Sequence, residues 1–184
     1  MPLTTYTAGE VLTAASLNAN LSFASTNGGL VLVSSTTIGT TVSSVTVSSA
    51  FSATYDAYKI IISGGVASTG LALKLTLGAT VAGYAYQLNG GAYSNTPATV
   101  GASSQASWAF TGSGNTTSLS FNIDLLNPFL IEQTFMQGAN VGSTEAYAVE
   151  GFLNDTTSYT AFTITPSTGT ITGGTIRVYG YANS

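Results

Sequence analysis

Alternation of apolar and polar positions dominates this chain from residue 30 onward. LALKLTL (71–77) places Leu71, Leu73, Leu75 and Leu77 on one side and Ala72, Lys74 and Thr76 on the other. SLSFNIDLL (118–126) repeats the pattern, with Leu119, Phe121, Ile123 and Leu125 inward and Ser120, Asn122 and Asp124 outward. A period of two is the signature of a half-buried strand. LVLV (30–33), TVSSVTV (41–47), AYKIIIS (57–63), GYAYQL (83–88), ASWAFT (106–111), EAYAVEGF (145–152), SYTAFTI (158–164) and TIRVYGYA (175–182) are read as further strands. SGG at 63–65, NGG at 89–91, GSGN at 112–115, NDTT at 154–157 and STGTITGG at 167–174 are read as the turns between them. Strands about ten residues apart, with no helix of crossover length between them, predict an all-β antiparallel sandwich of jelly-roll type.

One stretch departs from this pattern. TAGEVLTAASLNANL (7–21) reads as a short helix. Thr13 is placed to cap it, and Leu12 before the cap with Leu17 forms a hydrophobic staple. Leu17 and Leu21 share a face, and Glu10 lies near the positive end of the helix dipole. About two turns of helix are marginal alone, so the leucines need a surface, either the end of the chain's own β core or a partner. STNGG (25–29) then breaks the chain. The expected organisation is an anchor segment over 1–24, a linker over 25–29 and a β-sandwich over 30–184.

Composition narrows the chemistry. Charged residues are 5% of the 184 and the formal net charge is -4. The three bases, Lys59, Lys74 and Arg177, are scattered, so no basic stripe awaits nucleic acid or an anionic membrane surface. Mean hydropathy is +0.34, yet no apolar run reaches the ~18 residues of a spanning helix, so membrane insertion is not expected. MPLTTYTAGE has neither the basic region nor the apolar core of a secretory signal. The chain has no cysteine and no histidine, which removes disulfides, the usual catalytic triads and the commonest metal ligands. No phosphate-binding glycine motif occurs.

Glu145, Glu150 and Asp155 are the densest acids, but five residues along a strand put the two glutamates on opposite faces. Neither a glycosidase pair nor a calcium site is expected of them, and the reading is non-enzymatic, without cofactor or metal. Asp56 with Lys59, and Lys74, read as ordinary surface charge. Ten tyrosines are more than the core requires. Tyr84 with Tyr86 and Tyr179 with Tyr181 share faces, Tyr93 lies in a loop and Trp108 in a strand. These six are read as receptor or subunit contacts, through aromatic stacking on sugars or packing against a sister chain.

With few charges, and Pro2, Pro97, Pro128 and Pro166 all outside the strand candidates, the sheet edges look unguarded. Self-association is therefore expected.

TYTAGEVLTAASLNANL resembles the N-terminal segment of bacteriophage virion proteins, above all tail-fibre and head-fibre or decoration proteins. The shared pattern is an aromatic, then Gly, then V-L-T-A-A, a variable residue and L-N. It falls here on Tyr6, Gly9, Val11, Leu12, Thr13, Ala14, Ala15, Leu17 and Asn18, with Leu21 continuing the stripe. AFSATYDAYKIIISGG (50–65) and GGTIRVYGYANS (173–184) are similar to fibre-type domains of phages of marine and freshwater bacteria. The resemblance implies a homotrimer on the outer surface of the virion. The N-terminal segment would attach it to a capsid or tail protein, and the β domain would face outward to contact the host, with a surface glycan as one partner. A capsid decoration or cement protein is the alternative it leaves open. A free lectin-like carbohydrate-binding module is a third reading, which leaves the helix unexplained.

Overall fold

The computed structural model describes residues 5–11, 13–26 and 29–183, with the backbone alone over 23–26. Leu12, and with it the proposed staple, lies outside the described residues.

The helix α1 spans Ala14–Thr26. Thr13 caps it, its Oγ1 accepting from Ser16 N at 3.2 Å while Leu17 N donates to Thr13 O at 3.0 Å. It runs two residues into the expected linker, because Ser22–Thr26 offers nothing to stop it before the glycines. Glu10 serves a different purpose from the one expected. Its carboxylate accepts from Thr7 N at 3.0 Å and closes the turn that Gly9 makes at φ 92°.

Fourteen strands follow among the described residues. They are β1 (Leu30–Thr37), β2 (Val45–Val47), β3 (Ala57–Ser63), β4 (Val66–Ala67), β5 (Leu71–Leu77), β6 (Tyr84–Ala92) and β7 (Thr96–Gln105). Then come β8 (Trp108–Asn115), β9 (Ser118–Leu126), β10 (Thr134–Val141), β11 (Glu145–Leu153), β12 (Phe162–Pro166), β13 (Ile171–Thr172) and β14 (Thr175–Tyr181). Every pairing is antiparallel. β1 pairs with β14, β2 with β12, β3 with β9 and β5 with β8. First against last, nested inward, is a jelly roll: a long ribbon rolled into two layers, β2-β12-β5-β8 and β1-β14-β3-β9. β10, β11, β6 and β7 extend the second layer beyond β9. The all-β sandwich preceded by a helix is therefore the observed architecture.

The core lies between the layers. Leu71, Leu73, Leu75 and Leu77 are buried as their alternation predicts, and so are Leu119, Phe121, Ile123 and Leu125. Phe51 stacks on Phe162 with centroids 5.7 Å apart and meets Tyr58 edge-on at 4.9 Å. The Tyr58 hydroxyl donates to Ser52 O and accepts from Ser52 N, both at 2.8 Å, so its burial leaves no polar group unpaired.

Three sequence readings are corrected. NGG and GSGN are not turns but lie inside β6 and β8. A Cβ on Gly90 would meet the Ala146 carbonyl and the Tyr147 side chain, and one on Gly112 would come within 2.7 Å of the Phe121 ring. Glycine here permits close approach of backbones, a use that composition does not distinguish from turning. β7 and β10 are strands that the alternation reading passed over. Pro97 lies in β7, an edge strand, and Pro166 ends β12. With a register irregularity between Leu32 and Ser34 on edge strand β1, two edges do carry the usual guards. The physical case for self-association moves from the edges to a face.

Candidate functional site

That face is the outer side of the long layer. Strand register lines up side chains across it, one strand spacing of about 4.8 Å at a time. One row runs Leu30, Tyr181, Ala57, Leu126, Phe135, Phe152 and Ala85. Its large members are exposed, Phe135 by 43% and Phe152 by 38%. Leu32, also exposed, stands one row over, opposite Tyr179. A contiguous apolar stripe of this kind marks an interaction surface, whereas scattered exposed leucines would not.

The next row is polar: Tyr179, Lys59, Asp124, Gln137, Glu150 and Gln87. Lys59 and Asp124, directly opposed, form an ion pair at 3.3 Å, and Tyr181 donates to Asp124 Oδ1 at 2.6 Å. Burial, and then the neighbouring Asp124 carboxylate, push the Tyr181 phenol up to about 12. Lys59 and Asp124 are thus paired within the chain, which lowers the cost of covering them. A shallow groove of about 400 Å³ opens on this face, lined among others by Ala85, Gln87, Glu150 and Phe152.

The predicted aromatic residues separate into three groups. Tyr179 and Tyr181 lie on this outer face. Tyr93, 58% exposed, tips the β6–β7 hairpin, its hydroxyl donating to Gly142 O at 3.3 Å. Tyr86 is half-buried against Phe110, with ring centroids 6.1 Å apart. Tyr84 and Trp108 must be withdrawn as contacts, because both are fully buried and meet edge-on at 5.0 Å. The Tyr84 hydroxyl accepts from Leu77 N at 2.8 Å, and Trp108 Nε1 donates to the Ala85 and Phe152 carbonyls at 3.2 and 3.3 Å. They are core residues whose polar atoms are satisfied by the backbone.

The described members of the predicted anchor set are exposed or half-buried. No described side chain of residues 5–22 is buried. Val11, Gly9, Thr13 and Asn18 are exposed, and Leu17 and Leu21 are exposed by 41% and 59%. Tyr6 is half-buried, with Asn20 Nδ2 donating to its hydroxyl at 3.4 Å. The leucines do not lid the chain's own core.

The acids separate as their spacing implies, Glu150 on the outer face and Glu145 on the rim of the inner one. Asp155 is engaged locally, accepting from Thr157 N at 2.8 Å and from the Tyr159 hydroxyl at 2.7 Å. The Thr157 and Tyr159 hydrogen bonds hold its carboxyl below the usual range. Among the described residues no group of three or more acids gathers to hold a metal ion, and no helix is long and apolar enough to cross a membrane.

Sequence reasoning missed Leu126, Phe135 and Phe152. The signal for Phe152 was present: EAYAVEGF carries apolar residues on both faces, which a strand with one solvated face does not need. The fold and these surfaces define the class, an antiparallel jelly roll with an apolar stripe on its outer face and a helical leader none of whose described side chains is buried. No known protein family, curated protein or solved structure matches the chain.

Proposed function

We propose that this chain is a non-enzymatic structural subunit of a bacteriophage particle. In this reading it is a homotrimer whose leading segment attaches to a capsid or tail protein and whose jelly roll faces outward. The observation that carries it is the leader: a capped helix with Leu17 and Leu21 outward and no described side chain buried. A short helix of this kind is marginal until an apolar face finds a partner, and its residues follow the virion attachment pattern.

The outer stripe supports the self-associating half of the proposal, with a second copy of the chain as its occupant. Alongside the paired Lys59 and Asp124, that face carries Glu150 and Arg177 of opposite sign. They stand four strand spacings apart, roughly 19 Å. Two copies can therefore meet there without stacking like charges.

The test is incorporation. Leu17→Asp is expected to leave a folded oligomer that no longer joins particles, and an antibody against residues 30–184 should label wild-type virions on the head or the tail. Normal incorporation of the variant would remove the anchor assignment.

A further inference from the structure

β9 is a branch point. Phe121 pairs with Ile62 of β3 and with Gly112 of β8, while Ile123 pairs with Ile60 of β3 and Gly138 of β10. β8 and β10 therefore leave the same edge of β9 and must part. In the fork lies a cleft of about 350 Å³, lined by Leu71 and Ala72 of β5, by Phe110 and Ser113 of β8 and by the β10–β11 turn through Tyr147. That volume is at the lower end of small-molecule sites, about 300–1,000 Å³.

Two observations set the cleft apart from a packing gap. Tyr147 is only 8% exposed, yet its hydroxyl completes no hydrogen bond. Ser113 lies near enough to draw the phenol down against burial, which pushes it up to about 12, but no bond between them closes. Buried hydroxyls are rarely left this way. Phe110 holds φ at 59°, a left-handed conformation that is an outlier for a bulky residue. It does so in a bulge where Ala109, Phe110 and Thr111 stand against Lys74 alone. Bulges of this kind re-aim side chains beside functional sites. This one brings the Phe110 ring to the cleft wall.

The lining selects the ligand. Ser113, Ser143, Thr144 and Tyr147 offer hydroxyls, Glu145 a carboxylate and Phe110 a flat apolar ring. Asn115 is already committed, its Oδ1 accepting from Thr117 N at 2.8 Å and its Nδ2 donating to Ser143 Oγ at 3.0 Å. No lysine or arginine lines the cleft, so an anion would meet Glu145 without a counter-charge. A ring of alcohols with one apolar face meets every one of these groups.

We propose that the fork between β8 and β10 binds an uncharged hexopyranose unit, with Phe110 against its apolar face and Glu145 and Tyr147 holding ring hydroxyls. This site would serve the outward-facing jelly roll of the virion subunit proposed above, on which reading its biological role rests, but its test needs no particle, so each can fail without the other. The experiment is saturation-transfer NMR on the full chain with the methyl glycosides of glucose, galactose, mannose and N-acetylglucosamine, and with a sulfated galactoside. At least one neutral glycoside should receive saturation on its ring protons, and the sulfated one should not. Tyr147→Phe should weaken binding about tenfold while leaving the melting temperature unchanged or higher. The exposed Glu145→Gln should weaken binding similarly without touching the fold. Absence of transfer to every neutral glycoside would overturn the proposal, as would wild-type affinity in both variants.

Discussion

The two faces of the long layer are made by the same strands in the same register, and they differ only in the parity of the residues that reach them. Inward point Tyr58, Ile60, Ile123, Leu125, Met136, Val149 and Val178, all buried under the opposite layer. Outward point Tyr181, Leu126, Phe135 and Phe152, with Lys59, Asp124 and Glu150 beside them. A face meant for water would replace the aromatic residues with small and hydroxyl-bearing ones, as the almost wholly exposed β7 does. The outer face is instead built like half of a core. What distinguishes it from the inner face is that the described residues of this chain supply no second half.

That comparison can be broken from either side. On the inner face, removing a side chain of the covering layer by Trp108→Ala should cost about 3–5 kcal/mol, since it opens a cavity and strips the Ala85 and Phe152 carbonyls of their donor. Denaturant unfolding reads the loss directly. A cost below about 1 kcal/mol would mean that this side is not a closed core.

A smaller effect comes from pH. Tyr84 on the inner side is raised to about 12, chiefly by burial, against 10 in an unfolded chain. Below pH 10 both states keep the proton and nothing changes. Between 10 and 12 the unfolded chain ionises first, so stability falls as pH rises. Absorbance titration should find Tyr84, Tyr147 and Tyr181 among the last phenols to ionise. Tyr181 sharpens the contrast: covering its face should delay its ionisation further, while Tyr84 and Tyr147 stay unmoved.

The smallest effect is at Asp155. Its carboxyl lies below the usual range, so its stabilisation is present above about pH 4 and is lost as pH falls through the folded value. Because the group is only half-buried and screened by solvent, Asp155→Asn should flatten the acid limb of the stability curve only slightly.

Alternation alone makes most of the inner face legible. The leucines of β5 and the apolar residues of β9 point where a period of two sends them, and Thr13 caps the helix as its position predicts. The outer face is not legible in the same way, because parity says which residues share a side and not which side is finally covered. Tyr84 and Trp108 cannot be told from surface aromatics for that reason. Phe135 escapes notice because QTFMQGANV mixes glycine and amides and gives little sign of a strand. The cleft is beyond the reach of any pattern along the chain, since it depends on two strands dividing one edge of β9 and on a bulge at Phe110.

The central claim, that the outer face is closed by sister chains, is tested most directly by sedimentation equilibrium of the full chain at micromolar concentration beside a Phe135→Arg/Phe152→Arg double variant. The account predicts a wild-type trimer and a variant that sediments as a folded monomer with its inner core intact. A wild-type monomer, or a trimer indifferent to both arginines, would contradict it.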